Sequence, residues 1–464
     1  MAALRTLTAL ALLLLAACTV GPEYRKPDVG DLVPQDWRWK IAAPRDAAPK
    51  GEWWKVFGDP VLDALQAQAV AANPGLRAAV ARVEQARAIA AGARAQAFPQ
   101  AAFAPSVKRE RTSGNLPTPV PFPVPSAHID TFSLPFDVSY EIDLWGRVRR
   151  MIESAQAEAQ ASAADYEHVL LTLTADVAIN FALARTIDAE AAAIRHTVRV
   201  RQDSLRLLEE RYAAGVITGT GVAQARALLA SAEADLADLQ RQHAEVRHAL
   251  ALLCGRAPGD FELPRGPAPR HVAIPAALPS TLLERRPDIA RAERALAARN
   301  AQIGVARAAY FPSVQLVGQG GLLSDTAGAL FSADSRVWSI GPRVSLPLFT
   351  AGRTAADVQR AESAYDEALA AYRLTVLAAL REVEDALAAI VLRGEQASAG
   401  AQALRSAREV VTLAQARYDA GTANYLEVAD AERTVLAEER RISQLEGQRL
   451  AAVVRLIKAL GGGW

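Results

Sequence analysis

Only two cysteines and two methionines occur among 464 residues, and neither sign of charge prevails, with 52 lysine and arginine against 51 aspartate and glutamate residues. Each scarcity excludes something. Balanced charge leaves no electrostatic footprint for a nucleic-acid partner or for strong binding to an anionic membrane. Met151 is the only methionine besides Met1, which argues against a thioether-lined path for soft copper or silver ions. No lysine follows a glycine, so a phosphate-binding loop of the usual form is absent. His243 and His248 in RQHAEVRH stand five residues apart and would point in different directions on a helix, unlike the i, i+4 pair of a zinc protease. They read as surface histidines. Glu382, Glu384 and Asp385 fall within a helical pattern and read as a solvated or lumen-facing set rather than paired catalytic carboxylates. The expectation is a chain that is not an enzyme, holds no metal and needs no cofactor.

A hydrophobic run long enough to span a bilayer as a helix is also missing at the N-terminus. Arg5 precedes an apolar stretch, Leu7 to Ala17, that suits a signal peptide but is too short to cross a membrane. It ends in LAAC, Leu15 to Cys18, which resembles the bacterial lipobox, so Cys18 is expected to be the lipidated mature N-terminus. Several acyl chains on one cysteine, at about 0.8 kcal/mol per buried methylene, anchor firmly. Thr19 rather than aspartate follows it, which in the lipoprotein pattern favours the outer membrane. Cys254 then has no partner for an intramolecular disulfide, and stability must come from packing. At 51% hydrophobic and 22% charged residues, the chain can bury a sizeable core.

What is present is one unit written twice. Shifting the sequence by 206 residues aligns Gly146 and Arg147 with Gly352 and Arg353, Arg211 and Tyr212 with Arg417 and Tyr418, and Gly215 and Gly255 with Gly421 and Gly461. Upstream, a shift of 213 aligns Pro74 with Pro287 and Pro99 with Pro312, so the second copy is seven residues shorter in a loop. Each copy opens with an alanine-rich helix, 76–97 or 289–310, that runs into a proline. Two strands follow. In FSLPFDVSYEIDL, Phe132, Leu134, Phe136, Val138, Tyr140, Ile142 and Leu144 alternate with mostly polar residues, over a length that matches the ~9–11 residues of a tilted membrane strand. VWSIGPRVSLPL is its second-copy partner, and weaker strands are placed near 101–111 and 313–322. The intervening loops, 112–128 and 323–335, are expected to be extracellular. A long helix then extends to about Ala214 or Ala420, nearly seventy residues or roughly 100 Å. A glycine turn leads to a return helix, 222–253 or 426–460. The predicted layout is a signal peptide 1–17, a lipid-anchored strap 18–60 carrying Trp37, Trp39, Trp53 and Trp54, a first repeat 61–255, a connector 256–281 and a second repeat 282–464.

Four membrane strands cannot close a barrel, and an open sheet edge in hydrocarbon leaves unpaired backbone groups at several kcal/mol each. More than one copy is required, but the backbone argument does not choose between two, three or four. At this point the segments CTVGPEYRKP, WWKVFGDPVLDAL, ANPGLRAA, EIDLWGRVRR, RYDAGTANYLEVADAER and KALGGGW become specific together. Through them the whole mature chain resembles the TolC-like outer-membrane efflux factors, in the lipidated multidrug-efflux branch of OprM and NodT. The resemblance implies a mainly α fold with a small β part: a homotrimer sharing a twelve-stranded barrel in outer-membrane lipid, continued by a helical periplasmic barrel. It also implies a periplasmic adaptor protein and an inner-membrane pump, proton-driven and of the RND type, as partners. The expected role is passive conduction of small molecules to the exterior. Protein export by a type I system is the nearest alternative, and a helical lipoprotein scaffold without a pore is the alternative of another class.

A tunnel needs a closure, and the helical turns near Gly215 and Gly421 are the part of the chain expected to lie far from the membrane. In the second turn Leu426 and Asp430 stand at i and i+4, on one helix face. The resemblance carries onto them a leucine ring and an acidic ring that constrict the periplasmic aperture, with Tyr418 helping to hold the closed state and Glu427 a further acid at the mouth. Helix-dipole preference alone would also put acids in a first turn, but the same positions in the first copy are Thr220 and Gln224. RYAAGVITGTGVAQAR, by the same resemblance, belongs to the tip that meets the adaptor. Trp145, where strand becomes helix, suits an interfacial aromatic girdle.

Overall fold

The computed structural model describes residues 19–28, 51–115, 126–267 and 285–462. The signal peptide, Cys18, Trp37, Trp39 and Trp464 lie outside the described residues, as do 116–125 of the first loop, 268–281 of the connector and 282–284 at the start of the second repeat. The chain forms two compact units. One comprises Met1–Pro27, Val83–Ser162 and Ala292–Tyr372; the other comprises Asp28–Arg82, Ala163–Arg291 and Arg373–Trp464.

The elements follow in duplicate. After a 3-10 turn at Trp53–Phe57 come α1 (Pro60–Ala72), α2 (Pro74–Ala95), β1 (Gln100–Phe103), β2 (Ser106–Arg111), β3 (His128–Ile142), α3 (Arg147–Ala213) and α4 (Gly219–Leu253). The second copy supplies α5 (Pro287–Ala308), β4 (Ser313–Ser324), β5 (Arg336–Ser345), α6 (Arg353–Asp419) and α7 (Tyr425–Ala459). The long helices α3 and α6 are both 67 residues, and the return helices α4 and α7 are both 35. An apolar window of α3 would pass for a membrane span by composition, but 67% of it is buried, so core packing accounts for its hydropathy.

Three expectations need correction. The helices expected at 76–97 and 289–310 start and stop two residues earlier, because proline is well suited to the first helical position, where no N–H partner is required. The strap expected to run extended to residue 60 does so only over 19–28 of the described residues. Trp53 and Trp54 belong instead to the buried core of the second unit: Trp53 meets Trp54 and Phe57 edge-on, with centroids 5.9 and 6.5 Å apart, and its Nε1 donates to Thr174 Oγ1 at 3.3 Å. The helix α1 that follows was not foreseen. Asp59 caps it by accepting from the backbone N–H groups of Val61 and Leu62. The third correction concerns His243, which is not at the surface. Its side chain is 19% exposed and lies 3.5 Å from Asp188, and burial pushes its pKa down.

The core of the second unit packs Leu62, Phe181, Ile194, Leu250, Leu456 and Ile457 from α1, α3, α4 and α7. Beside it the two repeats make the same joint with different residues. Asn73 donates from Nδ2 to the Leu253 carbonyl at the end of α4, 2.9 Å away. At the matching place Arg286 donates from Nη1 to the Ala459 carbonyl at the end of α7, also at 2.9 Å. Asn73 also caps α2 by accepting from Leu76 N–H; in the second repeat Asp288 accepts from Ile289 N–H and binds Arg286 at 3.0 and 2.6 Å. Glu382 of α6 completes the cluster at 2.8 Å from Arg286. Close passage of the chain demands glycine at both joints. A Cβ on Gly255 would stand 2.5 Å from the Ala72 carbonyl oxygen, and one on Gly461 would stand 2.9 Å from the Arg285 carbonyl carbon; both residues have positive φ.

Burial opposes ionisation of Asp288, but the Arg286 guanidinium overrides it and holds the carboxyl below its usual range. Arg286→Ala strands that carboxylate and is expected to cost about 3–5 kcal/mol, whereas Asn73→Ala removes a neutral cap worth about 1 kcal/mol. Thermal unfolding followed by circular dichroism should therefore show the larger fall for Arg286→Ala. The reverse order would contradict the joint described.

Candidate functional site

The strands form one antiparallel sheet in the order β1/β2, β3, β4, β5. β1 and β2 are one edge strand interrupted at Pro105, with Phe103 opposite Phe136 and Ser106 opposite Ser133 in continuous register. Residues directly opposite share a face, so the register sorts the side chains. Val107, Phe132 and Leu134 lie on one face with Leu322. On that same face, Phe103, Phe136, Gly320 and Trp338 make one row, and Val138, Gly318 and Ile340 the next. The opposite face carries Lys108, Thr131, Ser133, Asp137, Ser139 and Gln319. The first face is mostly apolar, with Arg109, Asp130 and Arg336 toward one end, and the other is mostly polar, as a wall between hydrocarbon and water requires. Trp338 is 80% and Val107 73% exposed in the single chain.

Among the described strands, β1/β2 on one side and β5 on the other have no outer neighbour. Pro135 in β3 lacks an N–H, and Gly321 opposite it lets the backbones close in, since a Cβ there would sit 2.2 Å from the Leu134 carbonyl oxygen.

The junction from β3 to α3 accounts for the motif EIDLWGRVRR. Asp143 accepts from the N–H groups of Val148 and Arg149, capping α3, and Glu141 binds Arg147 at 2.8 and 2.6 Å. Trp145 stacks on Phe311 at 4.8 Å and donates to the Pro312 carbonyl at 2.8 Å. The segment after Cys18 is seated here. Val20 N–H donates to the Trp145 carbonyl at 2.9 Å, and a Cβ on Gly146 would collide with Thr19. Farther along, Tyr24 donates to Glu293 at 2.9 Å.

At the other candidate region, Leu426 stands 43% exposed in the first turn of α7, with Asp430 exposed one turn later on the same face. Glu427 is a first-turn acid that Asn424 caps; Asp430 lies beyond the first turn, outside the reach of that preference. Each acid has a basic neighbour: Glu427 with Arg417 at 2.8 Å and Asp430 with Arg433 at 3.2 Å. Tyr418 does not face them alone. Arg211 of α3 donates to its hydroxyl at 3.1 Å and lies 5.8 Å from its ring centroid, while Tyr425 meets it edge-on at 5.9 Å. Tyr425 in turn is held by Ser204 of α3 and packs on Leu208 and Val222.

These α3 contacts were missed in the sequence. The signal available was that Arg211 is the repeat equivalent of Arg417; what could not be read is that it bonds across to the other repeat. Among the described residues no cluster of histidine, cysteine, aspartate and glutamate could hold a metal ion.

Known proteins match this arrangement along nearly its full length. The family model for outer membrane efflux protein matches residues 65–256 and again 278–462. Outer membrane protein OprJ of Pseudomonas aeruginosa is 36% identical over 97% of this chain and 94% of its own. The toluene efflux pump outer membrane protein TtgI of Pseudomonas putida is 34% identical over 99% and 98%. Among solved structures, the outer-membrane channel OprN superposes with a TM-score of 0.85 at 32% identity, covering 96% of this chain and all of that one. The duplicated helices, the two-faced sheet and these likenesses agree: the chain belongs to the outer membrane efflux protein family.

Proposed function

We propose that three copies of this chain form a passive duct through the outer membrane, opened by a periplasmic adaptor and an inner-membrane pump of the proton-driven RND type. The observation that carries this reading is the two-faced sheet with both edges unpaired. Four strands are too few for a barrel, whereas twelve enclose a water-filled lumen lined by the polar face. Solutes diffuse through it, and energy enters at the pump. The protein's part is conduction and not catalysis.

Closure falls to the tips. Leu426 and Asp430 of three copies would face one another as an apolar ring beside an acidic one, with Glu427 at the mouth. Tyr418, gripped by Arg211, ties this hairpin to α3 and so restrains the rings in the closed arrangement. Lipid on Cys18 adds an anchor. The seating of Thr19 and Val20 against the strand-to-helix junction supports this, because it brings the chain to the base of the sheet one residue after the cysteine.

In planar bilayers, the Leu426→Ala, Asp430→Ala double variant should convert small, mostly closed events into large, persistent ones. Arg211→Met should act in the same direction more weakly, shifting the opening equilibrium by roughly fivefold for the loss of about 1 kcal/mol of hydrogen bonding. No conductance from folded protein in any variant would refute the duct; equal conductance in all would place the gate elsewhere. Labelled palmitate should enter the wild type and not Cys18→Ala, which the barrel still retains in the outer-membrane fraction. Label persisting in Cys18→Ala would contradict the anchor.

A further inference from the structure

Charge is distributed unevenly along the apolar face of the sheet. On β3 that face runs from Ile142 to Phe132, which at about 3.4 Å per residue and a tilt of about 40° is about 26 Å of height. The lipid-facing band of an outer-membrane barrel has the same height, about 25 Å. Just beyond Phe132, Asp130 stands opposite Arg109 and His128 opposite Arg111. Arg336, the first residue of β5, opposes Leu322 toward the same end. The other end of the face finishes on the uncharged row Ile142, Val314 and Val344.

These arginines are not committed to partners inside the chain. Arg109 meets Asp130 at 3.3 Å, but with side chains 73% and 39% exposed the pair contributes little. Arg111 donates from Nη2 to Ser126 Oγ at 3.4 Å, and neither it nor Arg336 forms an ion pair among the described residues. Between Arg111 and His128 the sequence holds no charged residue. Asp325 and Asp334, in the loop joining β4 to β5, pair with none of the three arginines among the described residues. A belt of long side chains reaching for water would serve both membrane interfaces alike. The leaflets of an outer membrane differ, however: the outer one presents phosphorylated glycolipid and the inner one mostly zwitterionic phospholipid. Charge at one end of the face matches that difference.

We propose that Arg109, Arg111 and Arg336 bind the phosphate groups of an outer-leaflet glycolipid, lipopolysaccharide, at each seam between copies. The proposal rests on the reading of the sheet as one third of a three-copy barrel. In that barrel the two strands without an outer neighbour, β1/β2 and β5, pair with each other across the seam. β2 ends at Arg111 and β5 begins at Arg336, each at its loop end. Antiparallel pairing therefore brings Arg109 and Arg111 of one copy to the same end of the seam as Arg336 of the partner subunit. Asp130 is the only acid on that face of the described strands, so positive charge prevails there. The planar fork of an arginine matches two phosphate oxygens at once. The acyl chains below the phosphates then lie on Val107, Phe132 and Trp338.

The test is native mass spectrometry of the full-length oligomer, delipidated in detergent and titrated with purified lipopolysaccharide. Wild type should bind it at one site per seam, and should bind enzymatically dephosphorylated lipopolysaccharide or phosphatidylethanolamine roughly tenfold more weakly. That comparison needs no variant to fold. The Arg109→Gln, Arg111→Gln, Arg336→Gln triple variant should lose affinity for the phosphorylated form to a similar extent. Lysine at the same three positions should recover part of it, because the charge returns without the fork. Arg343→Gln, which removes a charge from the polar face, should change nothing. Equal binding by wild type of lipopolysaccharide and of either control lipid overturns the proposal, as does unchanged binding by the folded triple variant. A particle of three chains in those same spectra leaves the barrel reading standing. A strand-containing particle of any other number of chains removes the barrel, and the seam site fails with it.

Discussion

The outward-facing backbone N–H and C=O groups along the two outer strands of the sheet have no partner strand among the described residues. In water this is tolerable; in hydrocarbon each such group costs several kcal/mol. That constraint governs the rest of the molecule. It turns a four-stranded sheet with an apolar and a polar face into a fragment that must be completed by other copies. Completing it converts the polar face into the lining of a lumen and the apolar face, with Trp338, Ile340 and Val107, into a lipid-facing wall. A channel then follows from the folding requirement, with no separate device needed to form the pore.

Duplication supplied the scaffold, and divergence is visible where the two copies differ. At the joint between the return helices and the next helix start, Asn73 and Arg286 do the same work on Leu253 and Ala459, one as an amide and one as an ion cluster with Asp288 and Glu382. The geometry was kept although the chemistry changed. Near the turns the opposite happened. Positions that are Thr220 and Gln224 in the first copy are Leu426 and Asp430 in the second, and contacts there run between repeats, from Arg211 to Tyr418 and from Ser204 to Tyr425. Asymmetry at a tip built on symmetric helices is what a closure made from one end of the unit would require.

Much of this was legible before any coordinates. The strand at 132–144 announced itself because a two-faced sheet writes a period of two into the sequence, and it was found at His128–Ile142. The long helices were legible because 67 residues without an internal proline leave little else to form. Other features were hidden for physical reasons. Trp53 and Trp54 looked like a surface strap because tryptophan is amphipathic, and their burial depends on α1 and α3 arriving around them. The helix α1 escaped notice because Pro74 resets the pattern directly after it. Arg211 and Arg286 were unreadable because an arginine is normally solvated, and only the tertiary structure reveals which carbonyl, hydroxyl or carboxylate it meets. Leu426 and Asp430 were singled out by resemblance and by the failure of the repeat to reproduce them, and Glu427 as the acid beside them; the structure adds the exposure of Leu426 and the arginine neighbours of Glu427 and Asp430.

The central claim is that one chain cannot close the sheet and that three do. Native mass determination of the detergent-extracted protein, with β content verified on the same sample, addresses it most directly. The account predicts a particle of three chains that retains its strands. A folded monomer with the full strand content, or a stable assembly of two or four chains, would contradict it.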